Sequence, residues 1–197
     1  VKKIVLTGGP GAGKTAILEL VKRQFTGELA IIPESASVIF GGGFWRHDTV
    51  AGRKAAQRAI YYVQREFEIM LADEGQTLVA LCDRGTVDGA AYWPDGFDEF
   101  WRELNTTQAA EYARYAAVIH LRTPEIHQGY NAQNPLRTES AQQAQVIDRR
   151  IHELWAGHPN VTVINSTDDF MVKANRSLAA IQKELMLIDA VHPGTNP

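Results

Sequence analysis

The stretch that most constrains this chain is VKKIVLTGGPGAGKT, Val1–Thr15, in which an apolar run passes directly into a Gly-x-x-x-x-Gly-Lys-Thr loop. Ile4, Val5 and Leu6 read as a buried parallel strand, and Ala16, Ile17, Leu20, Val21 and Phe25 recur at helical spacing after the loop. Strand, glycine-rich turn and helix in that order form a cradle for phosphate. Gly8, Gly9, Gly11 and Gly13 accept dihedrals that a Cβ forbids, so successive backbone N–H groups turn inward on an anion. The helix adds its positive N-terminal end. Gly9, Gly11, Ala12, Gly13, Lys14 and Thr15 are therefore the expected contacts of a nucleotide such as ATP. Lys14 reaches the β and γ phosphates, and the Thr15 hydroxyl ligates the magnesium ion they carry. The competing reading, a purely structural turn, has the strand-loop-helix order against it.

A chain of 197 residues that is 45% hydrophobic can bury a full core, and one domain is expected over 1–187, with 188–197 as a tail. The net charge is −3 and no run of Lys or Arg exceeds two residues, so neither nucleic acid nor an anionic membrane is an expected partner. Cys82, the lone cysteine, lies in an apolar run and reads as a reduced core residue. No apolar segment approaches the roughly 18 residues that span a bilayer. With no leader pattern at Val1, the expected location is cytoplasmic. The histidines lack metal-ligand spacing, so magnesium is the one metal expected.

Leu29–Pro33 reads as a second buried strand whose exit carries Glu34. Ligands of an open parallel α/β sheet sit beyond the carboxyl ends of its strands, which aims Glu34 at the phosphate site. A helix cap is the compatible alternative. Gly41-Gly42-Gly43-Phe44-Trp45-Arg46 is a flexible loop in which Trp45 and Arg46 are candidates to clamp an acceptor molecule; the other reading is a surface loop pinned by one buried aromatic. Thr49 to about Glu74 is a long helix with an apolar stripe at Ala56, Ala59, Ile60, Val63, Phe67, Met70 and Leu71, capped by Gly75. A third strand, Thr77–Cys82, delivers Asp83-Arg84-Gly85. Asp83 is placed to hold the magnesium ion or accept a hydrogen bond from the acceptor, and Arg84 to contact an anion or the acceptor. A buried structural Asp–Arg pair is the alternative.

Thr86–Trp93, Phe97–Leu104 and Gln108–Tyr115 read as helical pieces, with Tyr92, Trp93, Phe97, Phe100 and Trp101 packed together. A fourth strand, Ala117–Leu121, leads into a polar segment, about 123–138, that reads as a lid. Arg137 at its close would neutralise charge on a transferring phosphoryl group; as a bare surface cation it would do nothing. The helix from about Glu139 buries Ala144, Ile147, Ile151, Leu154 and Trp155, leaving Arg149 solvated and Arg150 bordering the site. Val161–Ile164 is the last strand. The loop after it, Asn165 to Asp168, is placed to meet a purine base, and a helix over Asp169–Leu187, capped by Thr167 or Asp168, closes the sheet.

With these residues in place, the chain resembles the P-loop kinase group and, within it, small AAA-type predicted ATPases and kinases similar to ribosylnicotinamide and deoxynucleoside kinases. The resemblance rests on GGPGAGKT at 8–15, IPES at 32–35, CDRG with TVDG at 82–89, NPLRTES at 134–140 with the IDRRIHELW helix, and VINS at 163–166. It implies a three-layer α/β P-loop NTPase fold, a five-stranded parallel sheet in the order 2-3-1-4-5 with helices on both faces. It further implies an ATP- and magnesium-dependent transfer of the γ-phosphoryl to a hydroxyl of a small nucleoside-like acceptor, with Glu34 as base, Arg84 on the acceptor and Arg137 as the lid arginine. Many related lids carry paired arginines, whereas Thr138 follows Arg137 here, so a second charge would come from Arg122 or Arg150. The alternative is a nucleotide-binding ATPase- or GTPase-like regulatory module without an acceptor. A guanine-specific switch has no Asn-Lys-x-Asp motif to support it, and a mechanical motor lacks room for a separate helical domain.

Overall fold

In the computed structural model, residues 1–124, 140–167 and 169–191 are described. Five strands, β1 (Lys2–Thr7), β2 (Ala30–Ile32), β3 (Val79–Asp83), β4 (Ala117–Leu121) and β5 (Val161–Ile164), pair in parallel in the order β2-β3-β1-β4-β5. Around them lie α1 (Lys14–Gln24), α2 (Ser35–Gly41), α3 (Val50–Glu74), a 3₁₀ turn at Thr86–Asp88 running into α4 (Gly89–Tyr92), α5 (Phe97–Glu103), α6 (Gln108–Tyr112), α7 (Ala141–Trp155) and α8 (Phe170–Val191). The expected three-layer P-loop NTPase α/β fold and its strand order are what the chain adopts.

The two-residue period of the strands divides the core between the faces of the sheet. Ile4, Leu6, Leu81, Ile119 and Leu121 pack with Ile17 and Val21 of α1 and Ile181 and Leu185 of α8. Val5, Ala80, Cys82 and Val118 point the other way, onto Trp93, Phe100, Ile151 and Trp155. Because helices cover both faces, β3 and β4 are buried at every residue and read as apolar runs, interrupted only by Asp83 at the end of β3 and His120 in β4. Trp93, Phe100 and Trp101 are buried together, with Tyr92 and Phe97 packed against them as expected. Cys82 is a free buried thiol, and burial raises its pKa well above the ordinary value.

Three expectations need correction. The fully buried face of α3 is Ala56, Gln57, Tyr61, Gln64 and Glu68; of the expected apolar stripe Ala56 is buried and Phe67 and Leu71 pack against the core, while Met70 is half exposed. Polar partners turned the helix. Glu68 receives Lys3 Nζ at 2.8 Å, the Tyr115 hydroxyl at 2.8 Å and the Arg114 guanidinium, and Tyr61 donates to Glu111 at 2.7 Å. A buried carboxylate survives only with such partners. The second correction is at α8, which runs on to Val191, past the expected end of that helix at Leu187. Thirdly, the side chain at its start is Asp169, whose Oδ1 accepts the Met171 N–H at 2.7 Å, while the Thr167 hydroxyl is turned to the Asp169 carbonyl. Asp168, most of the expected lid with Arg137, and residues 192–197 lie outside the described residues. Among the described residues, no helix is long and apolar enough to cross a membrane.

Candidate active site

The loop after β1 takes its shape from glycines with left-handed backbones: φ is 142° at Gly8, 78° at Gly11 and 91° at Gly13. Gly13 precedes α1 with no side-chain cap, so the first amides of α1 stay open to an anion. Pro10, Gly11, Lys14 and Thr15 line a cavity of about 440 Å³. Lys14 is buried and donates to the Gly8 carbonyl at 3.2 Å. Burial, and then the charge of Arg84, lower its pKa, while Asp83 and Glu34 pull the other way. Two further expected phosphate contacts, Gly9 and Ala12, have N–H groups engaged within the protein, that of Ala12 on the Gly9 carbonyl at 3.2 Å. The Gly9 N–H donates to Asp148 Oδ1 at 3.0 Å, and Ala12 is buried with its carbonyl on Lys173.

The opposite wall comes from the ends of β2 and β3. Glu34 occupies the cap position of α2 without making a side-chain cap bond. Its Oε1 instead accepts Arg84 Nε at 2.7 Å, and Ser37 donates to its other oxygen. Next to it, Ser35 is buried and donates to Gln64 of α3 at 2.9 Å, fastening the start of α2. Arg84 is held at φ 75°, an unusual backbone for a side chain of this size, with its N–H on the Leu6 carbonyl at 3.0 Å. Asp88 secures that turn by accepting Gly85 N–H at 2.9 Å, Thr7 Oγ1 at 2.7 Å and Trp155 Nε1 at 2.9 Å. The ion pair of this wall is thus Arg84 with Glu34, and Asp83 takes no part in it.

The two carboxylates are tuned in opposite directions. Burial works against the charge of Glu34, yet Arg84 and Lys14 outweigh it and hold the carboxyl at about 2. Asp83 is pushed up to about 6, chiefly by burial, with Lys14 opposing. Its Oδ1 and the Nη1 of Arg84 are buried without a hydrogen-bond partner among the described residues. An orphaned carboxylate oxygen sharing a cavity with the Thr15 hydroxyl fits a magnesium ion carried by phosphates, as oxygen ligands and few protein contacts suit that ion. Among the described residues no group of three or more His, Cys, Asp or Glu side chains could hold a metal by itself.

Of the expected acceptor contacts, Arg84 and Arg46 line the cavity, Arg46 with its guanidinium 4.1 Å from the Phe40 ring centre. Trp45 is not brought there. It is 78% exposed and borders a separate hollow with Phe44 and Gly52. Arg150 reaches the cavity and donates to the Trp93 carbonyl at 3.2 Å, while Arg149 is exposed and Arg122 is paired with Asp148 at 3.1 Å. Gln57 and Gln64 of α3 line the same space.

Two residues at the loop escaped the sequence reading, Asp148 and Lys173. The signal was present: each is a charge on a buried helical stripe, Asp148 between Ala144 and Ile151, Lys173 four residues before Ser177 and eight before Ile181. Lys173 Nζ donates to the carbonyls of Ala12 at 2.8 Å and Arg122 at 2.6 Å, and burial lowers its pKa to about 8. A lysine whose folded pKa lies below its unfolded one binds fewer protons in the fold, so its contribution to stability rises with pH between about 8 and 10.5. The stability of wild type relative to Lys173→Met should therefore increase by about 2 kcal/mol between pH about 7.5 and about 9.5 in urea unfolding. A flat difference would show that Lys173 titrates normally.

A family model described as an AAA domain matches residues 3–171. No curated protein matches the chain. The matched span runs from β1 into the start of α8 and includes the glycine loop, Glu34, Asp83 and Arg84. The chain accordingly belongs to this AAA-domain family of P-loop NTPases, domains that bind a nucleotide and hydrolyse it or transfer its phosphoryl group.

Proposed function

We propose that the protein is an ATP-dependent phosphotransferase that moves the γ-phosphoryl to a hydroxyl of a small, nucleoside-like acceptor. The observation that carries this reading is the extent of the cavity. It continues from Lys14 and Thr15 past Asp83 to the Glu34–Arg84 pair and on beneath α2 and α3 to Gln57 and Gln64. A domain that only binds and hydrolyses a nucleotide needs no such extension of the cavity past its phosphate loop.

In this reading Lys14 and the open amides of α1 bind the phosphates, with Thr15 and Asp83 holding the magnesium ion, which when bound neutralises phosphate charge. Arg84 and Arg46 contact the acceptor, and Glu34 orients its hydroxyl. The acceptor oxygen bonds to the γ-phosphorus as the bond to the bridging oxygen breaks, ADP leaves, and the hydroxyl proton passes to Glu34 and on to water. A carboxyl held at about 2 is a weak base. A loose transition state tolerates that, because the proton departs late, once the attacking oxygen has become strongly acidic. Arg137, outside the described residues, and Arg150 are the proposed cations on the transferring group.

ATP turnover with magnesium across nucleosides, ribosylnicotinamide and small hydroxylated metabolites tests the proposal. One acceptor class should accelerate turnover, and Glu34→Gln should lower that acceleration about 100-fold with ATP binding unchanged. Retained acceleration in Glu34→Gln would reject the base assignment. Uniformly slow turnover alongside firm nucleotide binding would favour the regulatory module.

A further inference from the structure

The outer side of the phosphate loop is gripped by side chains that no nucleotide contact requires. Asp148 of α7 is buried, and its Oδ1 accepts both the Gly9 N–H and His120 Nε2, each at 3.0 Å; its Oδ2 is ion-paired with Arg122 Nε at 3.1 Å. Burial opposes its charge, but the hydrogen bond from His120 and then Gly9 and Arg122 hold the carboxyl below the ordinary range. One residue along the loop, Thr123 Oγ1 donates to the Pro10 carbonyl at 3.2 Å. The fit is close. A Cβ at Gly9 would stand 2.6 Å from Thr123 Oγ1 and 2.7 Å from Asp148 Cβ.

A buried ionic cluster is an expensive way to anchor a helix, since apolar side chains of the same volume do so at no desolvation cost. It is well suited to fixing the direction of one peptide group. With the Gly9 N–H committed outward and the Gly9 carbonyl accepting the Ala12 N–H at 3.2 Å, the Gly9–Pro10 turn is held in one orientation, which sets the course of the loop into Gly13 and Lys14 before any phosphate arrives. Arg122 and His120 flank the carboxylate.

We propose that Asp148, with Thr123 beside it, is a positioning residue that pre-orients the phosphate loop for nucleotide. The inference rests on nucleotide binding and not on the identity of an acceptor, so the readout is binding of ATP with magnesium by calorimetry, with wild type as control. Asp148→Asn keeps an oxygen for the Gly9 N–H but loses the charge facing Arg122, whereas Asp148→Leu has a similar shape and no acceptor. Asp148→Leu should weaken ATP binding about 10- to 100-fold, the loss typical when an outer support of a binding site is removed, and Asp148→Asn should stay within about 3-fold of wild type. A merely structural role would lower the melting temperature of both variants and leave the affinity of the folded protein unchanged, which would overturn the proposal. Equal weakening in both would also overturn it, by assigning the effect to charge and not to the Gly9 peptide. Should Asp148→Leu fail to fold, Thr123→Val reads the same support. It should weaken binding about 3- to 10-fold, and an unchanged affinity would refute the proposal.

Discussion

Lys14→Ala will leave a folded protein whose nucleotide turnover is about 10²- to 10³-fold lower, the loss seen when one preorganised donor to developing charge is removed. The fold should not suffer. Lys14 Nζ donates to a single backbone carbonyl, that of Gly8, and burial already works against its charge, so truncation relieves a desolvation cost that offsets the loss of its charge beside Glu34 and Asp83. The expected signature is a melting temperature equal to or above that of wild type together with lost turnover and weakened ATP binding. A variant that melts well below wild type would mean that Lys14 is a structural support of its loop. A variant that turns over normally would remove the phosphates from this cavity altogether.

Gly8→Ala should be the most damaging single substitution for both stability and binding. The backbone at Gly8 has φ 142°, and a Cβ there would lie 2.1 Å from the Leu121 carbonyl oxygen and 3.0 Å from Ala12 Cβ. Neither neighbour is the end of a flexible side chain: one is the last carbonyl of β4 and the other belongs to the loop itself. Backbone strain and overpacking together should cost about 3 to 5 kcal/mol in urea unfolding, and ATP binding should disappear in whatever remains folded. Gly27→Ala is the control. Gly27 also has a left-handed backbone, φ 82°, but nothing lies within 4 Å of a Cβ there, so its cost should be about 1 kcal/mol. Equal losses at the two positions would show that dihedral strain alone, and not the approach of β4, makes Gly8 necessary.

The extremes of legibility meet in the phosphate loop. Its presence follows from local chemistry, because glycines, a lysine and a threonine at set spacing between a strand and a helix act on a ligand without help from distant residues. The bounds of β4 follow for a similar reason, since a strand buried on both faces carries an apolar run, interrupted here only by His120. The ends of β2 and β3 place Glu34 and Asp83-Arg84 at one edge of the sheet because all five strands run in parallel.

What each of those side chains does there was beyond local reading. Arg84 sits next to Asp83 in the chain but pairs with Glu34, fifty positions away, because a left-handed backbone turns its side chain from its neighbour. The orientation of α3 has the same origin: its apolar stripe meets the core only in part, because Glu68 finds Lys3, Arg114 and Tyr115, and a fully partnered carboxylate can be buried where an unpartnered one cannot. Gly9 shows the limit most directly. The motif assigns its N–H to phosphate, and Asp148, 139 positions later, takes it. By itself the sequence determined that this chain makes a parallel α/β sheet with a nucleotide phosphate loop at its edge, because periodicity and backbone freedom are properties of neighbouring residues. Only the tertiary structure decided which amides, cations and carboxylates remain open to a ligand, because that depends on partners the fold brings from far along the chain.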